Sequence, residues 1–195
     1  MKGLGCACNV VKSTELANNT YTPLSMPKAW ESIIGVAPQN VVIMLAAREG
    51  QGKTTLALKF GHDFVKSGNG QVLYVTSEQF GSPIFVEQVA RLKAAHEGLK
   101  IANKLPDDLA QYNLIIIDST NDSHMTDKDI EDLREEYPDK AFMFIVRQNQ
   151  DKTYRGIGAT DMAYDADIVI EISKGIATNT KNRCGVCGEM DIFNY

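Results

Sequence analysis

The order of apolar runs predicts an α/β fold, a mainly parallel sheet flanked by helices with an antiparallel hairpin at its C-terminal end. Three observations lead there. Strand-like runs at 41–46, 72–76, 114–118 and 141–146 alternate with amphipathic helical stripes. The run Leu114-Ile115-Ile116-Ile117 is continuously apolar, as a strand buried on both faces requires. Finally, two strand-like stretches at 168–172 and 176–181 flank the turn Ser173-Lys174-Gly175, which reads as a hairpin.

Taken in order, residues 1–25 are polar, and Asn18-Asn19-Thr20-Tyr21-Thr22-Pro23 breaks any periodicity, so they read as a tail or docking arm. The core is expected over 26–195, and 195 residues at 44% hydrophobic suit one domain. Trp30, Ile33 and Ile34 have near-helical spacing before Gly35, a helix stop. After the strand at 41–46, Leu56, Phe60 and Phe64 form a core-facing stripe that ends at Ser67-Gly68-Asn69-Gly70. The strand at 72–76 leads to Phe85, Val89, Leu92 and His96, which predict a helix over 83–97 stopped by Gly98. Thr126 with Asp127 and Asp129 caps a short helix whose buried face is Ile130, Leu133 and Tyr137. In such a sheet, ligands bind at the carboxyl ends of the strands.

The loop after the first strand carries the chemistry. Ala47-Arg48-Glu49-Gly50-Gln51-Gly52-Lys53-Thr54, followed by Thr55, has the P-loop pattern with Ala47 in place of its first Gly. Gly50 and Gly52 let backbone N–H groups close around phosphate oxygens at a helix N-terminus. Lys53 can reach the β- and γ-phosphates, and the Thr54 hydroxyl can ligate Mg²⁺. Asp118, about 65 residues downstream at a strand end, is the carboxylate that would hold Mg²⁺ opposite Thr54. Glu78, after the second strand, can orient an attacking water, or is an exposed Glu at a helix entrance. Gln148, after the fourth strand, can sense the γ-phosphate, or is a surface glutamine. The loop 149–158, with Lys152, Tyr154 and Arg155, suits a nucleic-acid backbone with a base stacked on Tyr154, or is a mobile solvent loop. Lys181 and Arg183 flank one residue and so point to one side of a strand, where both could reach one phosphate or form a solvated strand edge.

Composition excludes some partners. A net charge of −5 argues against nonspecific coating of nucleic acid, so any DNA contact needs a local basic patch. No run of eighteen apolar residues marks a membrane span, and no apolar stretch precedes Cys6, so a cytoplasmic location is expected. Cys6/Cys8 and Cys184/Cys187 form two close pairs. Four thiolates could close a Zn²⁺ site if the N-terminal tail docks beside the last strands, and unligated thiols are the alternative. His62, His96 and His124 lack ligand spacing and read as structural.

Together these residues resemble the RecA-like ATPases, in particular the RadA/Sms branch with related phage recombination ATPases and DnaB-type helicases. The likeness spans about residues 26–195. It rests on the P-loop, the segment 72–78, Asp118-Ser119, and Lys181-Asn182-Arg183-Cys184-Gly185 followed by Gly188-Glu189-Met190-Asp191-Ile192-Phe193. That last element is similar to the family's Lys-Asn-Arg-Phe-Gly and Gly-Glu-x-x-x-Phe motifs, with Cys184 in place of the Phe. The resemblance implies that Glu78 is the catalytic glutamate, Asp118 the Walker B aspartate and Gln148 the polar sensor. It implies that Lys181 and Arg183 reach a neighbour's ATP site, and that 149–158 is a DNA-binding loop. The family's N-terminal zinc finger spacing and its protease-like domain have no counterpart in these residues. The expectation is therefore a homo-oligomeric, Mg²⁺-dependent ATPase stimulated by single-stranded DNA and acting in recombination, repair or replication. The rivals are a small-molecule P-loop kinase and a KaiC-like switch or scaffold without DNA action.

Overall fold

A computed structural model describes residues 10–120, 125–155 and 159–194, apart from the Asp127 side chain. A short helix α1 (Ser13–Ala17) buries no residue, and the chain joins the core at Leu24, whose N–H donates to the Ala37 carbonyl. A turn of 3-10 helix, Lys28–Trp30, runs into α2 (Glu31–Ile34), and Gly35 ends it at φ 64°. Trp30 is fully buried, packs edge-on against Phe60 and donates its indole N–H to Asp63.

The sheet is built from β1 (Val42–Ala47), β2 (Val72–Thr76), β3 (Leu99–Ala102), β4 (Leu114–Asp118), β5 (Ala141–Gln148), β6 (Tyr154–Arg155), β7 (Ile168–Ser173), β8 (Ile176–Asn182) and β9 (Glu189–Asp191). Its order is β3-β2-β4-β5-β1-β7-β8-β9. The strands from β3 to β7 in that order are parallel, and β8 and β9 continue antiparallel. β6 pairs antiparallel with Arg147 and Gln148, beyond the point where β4 stops pairing with β5.

Alternation along β1 divides the core. Ile43, Leu45 and Ala47 face the cluster built with α3 (Lys53–Lys66) and α4 (Pro83–Arg91). Val42, Met44 and Ala46 face the cluster built with α5 (Asp127–Glu136) and α6 (Ala159–Asp165). Burial of both faces is why these strands read as unbroken apolar runs. The C-terminal hairpin forms as expected, with a register shift between Val169 and Ile170. The cap of α5 is reciprocal: Thr126 accepts from the Asp129 N–H while Asp129 accepts from the Thr126 N–H.

Several boundaries differ from the sequence expectation. The helix expected over 83–97 ends at Arg91, because Lys93 takes φ 52° and turns the chain toward β3. His96 therefore leaves the stripe and accepts a hydrogen bond from the Gly98 N–H. The edge strand β3 has four residues, of which only Leu99 is buried, too short for a clear period. The strand expected at 141–146 runs on to Gln148, which changes what reaches the cleft described next. Only Ala159 and Met162 of α6 are buried, so its stripe is faint in the sequence.

Candidate functional site

β1 ends at the buried Ala47, which still pairs with Arg147 and Ile172 in regular strand geometry. Ala at this P-loop position therefore demands no left-handed backbone. Gly50 and Gly52 do, at φ 73° and 98°. Gly52 caps the 14-residue α3, and a Cβ there would lie 2.3 Å from Ile192 Cδ1, so packing and backbone both demand glycine. The chain end is thus fitted to the loop. Lys59 Nζ donates to the Ile192 carbonyl at 2.9 Å, and the Lys174 N–H donates to Gln51.

Lys53 folds over this loop and donates to the carbonyls of Ala47 at 3.0 Å and Arg48 at 3.1 Å. Burial holds its pKa below the usual lysine value; Arg147 pushes the same way, while Asp118 and Glu49 oppose. Thr54 donates to Asp118 at 3.0 Å, and the fully buried Tyr74 donates to the same carboxylate oxygen at 2.6 Å. Burial, then the Asp118 charge, push the Tyr74 hydroxyl well above its usual pKa, so it stays a donor. Thr55 accepts from Gln88 of α4 at 3.0 Å.

These groups wall a cleft of about 390 Å³ at the carboxyl end of the sheet, which also receives Glu78, Arg91, Arg147 and Phe193. A larger hollow of about 540 Å³ lies beyond Asp118 against α5, but Asp129, Asp132 and Glu136 on its wall disfavour a phosphate. The smaller cleft, with Lys53, Arg91 and Arg147, is the electrostatically suitable one. Its hydroxyl and carboxylate oxygens, Thr54 Oγ1 and Asp118 Oδ2, are hard donors that fit Mg²⁺.

The remaining expected residues fall in different places. Glu78 lines the cleft, but its carboxylate is ion-paired to Arg147 at 2.8 Å. Gln148 is displaced from its expected place: it is not among the cleft-lining residues, and its amide donates to the Lys152 carbonyl. Arg147, one residue earlier, faces the cleft, since neighbours on a strand point to opposite sides. Tyr154 does not stand free for stacking. Its ring packs on the second core cluster and its hydroxyl donates to Glu171 at 2.8 Å, with the phenol pKa raised by burial and by that carboxylate. Lys152 and Arg155 are exposed; Gly156, Ile157 and Gly158 lie outside the described residues.

Lys181 and Arg183 do share a side, but they converge on the end of α6. Lys181 donates to the Ala163 carbonyl at 3.0 Å and to that of Tyr164, and Arg183 donates to Tyr164 at 3.2 Å. Lys181 pairs with Val169, toward the amino end of β7, whereas Ala47 pairs with Ile172 at its carboxyl end. The two cations thus stand at the opposite end of the sheet from this chain's own P-loop. Cys184 is half-buried, its thiol pKa pushed up by burial, and Cys187 is exposed. Cys6 and Cys8 lie outside the described residues, as does His124. Among the described residues, no group of three or more His, Cys, Asp or Glu side chains is placed to hold a metal ion. No helix there is long and apolar enough to cross a membrane.

Sequence reading missed Arg147, Gln88, Arg91 and Phe193 as cleft residues, and the buried Tyr74 that donates to Asp118. Tyr74 and Phe193 lay within segments that carry the family resemblance, 72–78 and 188–193. Fold and site together define a RecA-like P-loop ATPase domain. The chain belongs to the AAA domain family, whose model matches residues 24–186. No curated protein matches it. Among solved structures, it is similar to the crystal structure of flagellar accessory protein FlaH from Methanocaldococcus jannaschii, with a TM-score of 0.62 and 18% identity over 85% of this chain and 89% of that one. At that identity the likeness speaks for the fold.

Proposed function

We propose that this chain hydrolyses ATP at a site shared between subunits, is stimulated by single-stranded DNA, and serves recombination, repair or replication. The observation that carries the hydrolytic reading is the Thr54–Asp118 hydrogen bond, which ties the P-loop to a carboxylate two strands away, beside Lys53 and Glu78. Triphosphate oxygens take the place of the Ala47 and Arg48 carbonyls as partners of Lys53 and accept from the loop N–H groups. Thr54 and Asp118 would hold Mg²⁺, which would neutralise charge on the transferring phosphoryl group. Glu78 orients a water whose oxygen attacks the γ-phosphorus. The bond to the β–γ bridging oxygen breaks, its electron pair leaves with ADP, and the water's proton passes by way of Glu78 to solvent.

Lys181 and Arg183 act on a neighbour's phosphates. Their position at the far end of the sheet from their own P-loop fits a head-to-tail ring or filament. Residues 1–25 serve as an arm between such subunits. Exposed Lys152 and Arg155, beside the β5–β6 turn, supply cations for a DNA backbone. The test is ATPase rate against protein concentration, with and without single-stranded DNA, for wild type and Lys181→Ala. The shared site requires a rate per subunit that rises with concentration and falls in the variant; a concentration-independent rate unaffected by the substitution refutes it.

One observation favours a second reading, a nucleotide-dependent switch that acts on proteins rather than DNA. Tyr154 is held by Glu171 and the core, which removes the aromatic platform from the loop. FlaH, similar in fold, is described as a flagellar accessory protein. Turnover indifferent to single-stranded DNA at every concentration selects the switch.

A further inference from the structure

Lys53 and Arg147 bring two cations to one cleft, and Arg147 contributes to the lowering of the Lys53 pKa. Asp118 and Glu49 offset this repulsion at Lys53, while the Arg147 guanidinium still calls for an anion of its own. In the nucleotide-free chain, Glu78 partly meets that need by accepting from Arg147 at 2.8 Å. The same contact withholds the carboxylate that would orient water.

We propose that Arg147 is a ligand of the γ-phosphate at this chain's own site, and that without a triphosphate it latches Glu78 in an unproductive position. This rests on the ATPase reading above. The energetics of exchange favour it. The pair is partly exposed, at 32% for Arg147 and 53% for Glu78, and such solvent-screened pairs add little to stability. A γ-phosphate offers Arg147 a bidentate, more highly charged acceptor. ADP lacks that group and leaves the pair formed, so a triphosphate shifts Glu78 toward its free carboxylate and ADP does not. Arg147 also pairs with Arg155 across the β5–β6 hairpin, so its movement toward phosphate begins at the base of the loop that carries Lys152. Arg147 thus acts in cis, in distinction from Lys181 and Arg183.

Equilibrium titrations with Mg²⁺-ATPγS and Mg²⁺-ADP test the latch. Wild type prefers the triphosphate. Arg147→Ala loses about ten- to hundredfold of that preference while keeping its ADP affinity, and Arg147→Lys restores part of it. Glu78→Gln opens the latch, so it binds ATPγS more tightly than wild type with unchanged ADP affinity. An intact preference in Arg147→Ala, equal weakening for both nucleotides, or no tightening in Glu78→Gln overturns the latch alone. A wild-type protein that binds neither nucleotide overturns the ATPase reading with it.

Discussion

Lys53 and Lys181 make the same bonds and mean opposite things. Each donates to two backbone carbonyls of consecutive residues, and burial lowers the pKa of each. Lys181 stands at the C-terminal end of α6, where carbonyls without intrahelical partners and the negative end of the helix dipole call for a cation. Lys53 stands at the N-terminus of α3, against the positive end of a 14-residue helix, where burial lowers its pKa, Asp118 and Glu49 oppose and Arg147 adds to the lowering. Within its own chain Lys181 completes a helix, whereas Lys53 rests on loop carbonyls inside the cleft where the triphosphate is expected. Local hydrogen bonding alone therefore does not separate a cation that caps a helix from one that lines a nucleotide cleft.

Substitution of the two should break the symmetry. Lys53→Ala is expected to reduce kcat/KM for ATP by about 10²–10³-fold or more, without lowering the melting temperature, since burial disfavours the charge it removes. ATPase assay and calorimetry on one preparation check both halves. Lys181→Ala should cost about 1 kcal/mol of stability through loss of the α6 end contacts, read by denaturant titration, in addition to the fall in turnover that a shared site requires. A melting loss in Lys53→Ala as large as in Lys181→Ala would remove the distinction.

Asp118 sharpens the comparison from the acceptor side. Asp118→Ala leaves Thr54 and the buried Tyr74 without their shared acceptor, so about 1–3 kcal/mol of stability should be lost together with Mg²⁺-dependent turnover. Asp118→Asn keeps an acceptor oxygen and should recover most of the stability but not the turnover. Gly52→Ala should destabilise by about 1–3 kcal/mol through its φ of 98° and the clash with Ile192, and pairing it with Ile192→Ala should relieve only the steric part.

The smallest effect is a proton. The Lys53 pKa is depressed in the folded free protein, so on the alkaline side, below the ordinary value of 10.5, the unfolded chain binds more protons and stability rises with pH. A bound triphosphate raises this pKa again. Nucleotide binding should therefore take up a fraction of a proton in that alkaline window and none near neutrality, as read by calorimetry in buffers of different ionisation enthalpy. Lys53→Met should abolish the uptake.

The parts of this site legible in the sequence are those set by consecutive residues. Gly50, Gly52, Lys53 and Thr54 follow a strand directly, and Asp118 ends the most apolar run in the chain. The parts not legible depend on where a strand stops. β5 continues two residues past its apolar run, and that extension brings Arg147 into the cleft and leaves Gln148 to the β6 turn. Tyr154 looked like a loop aromatic because its anchor, Glu171, lies on β7 and nothing local announces the contact. Phe193 and Ile192 reach the P-loop only because β8 and β9 fold back along the sheet, a long-range packing relation.

The most direct test is an equilibrium titration of wild type and Lys53→Ala with ATP, with and without Mg²⁺. Saturable binding that is stronger with Mg²⁺ and lost in the variant is the expected result. Binding absent in wild type, or undiminished in Lys53→Ala, would contradict a phosphate site at the end of β1.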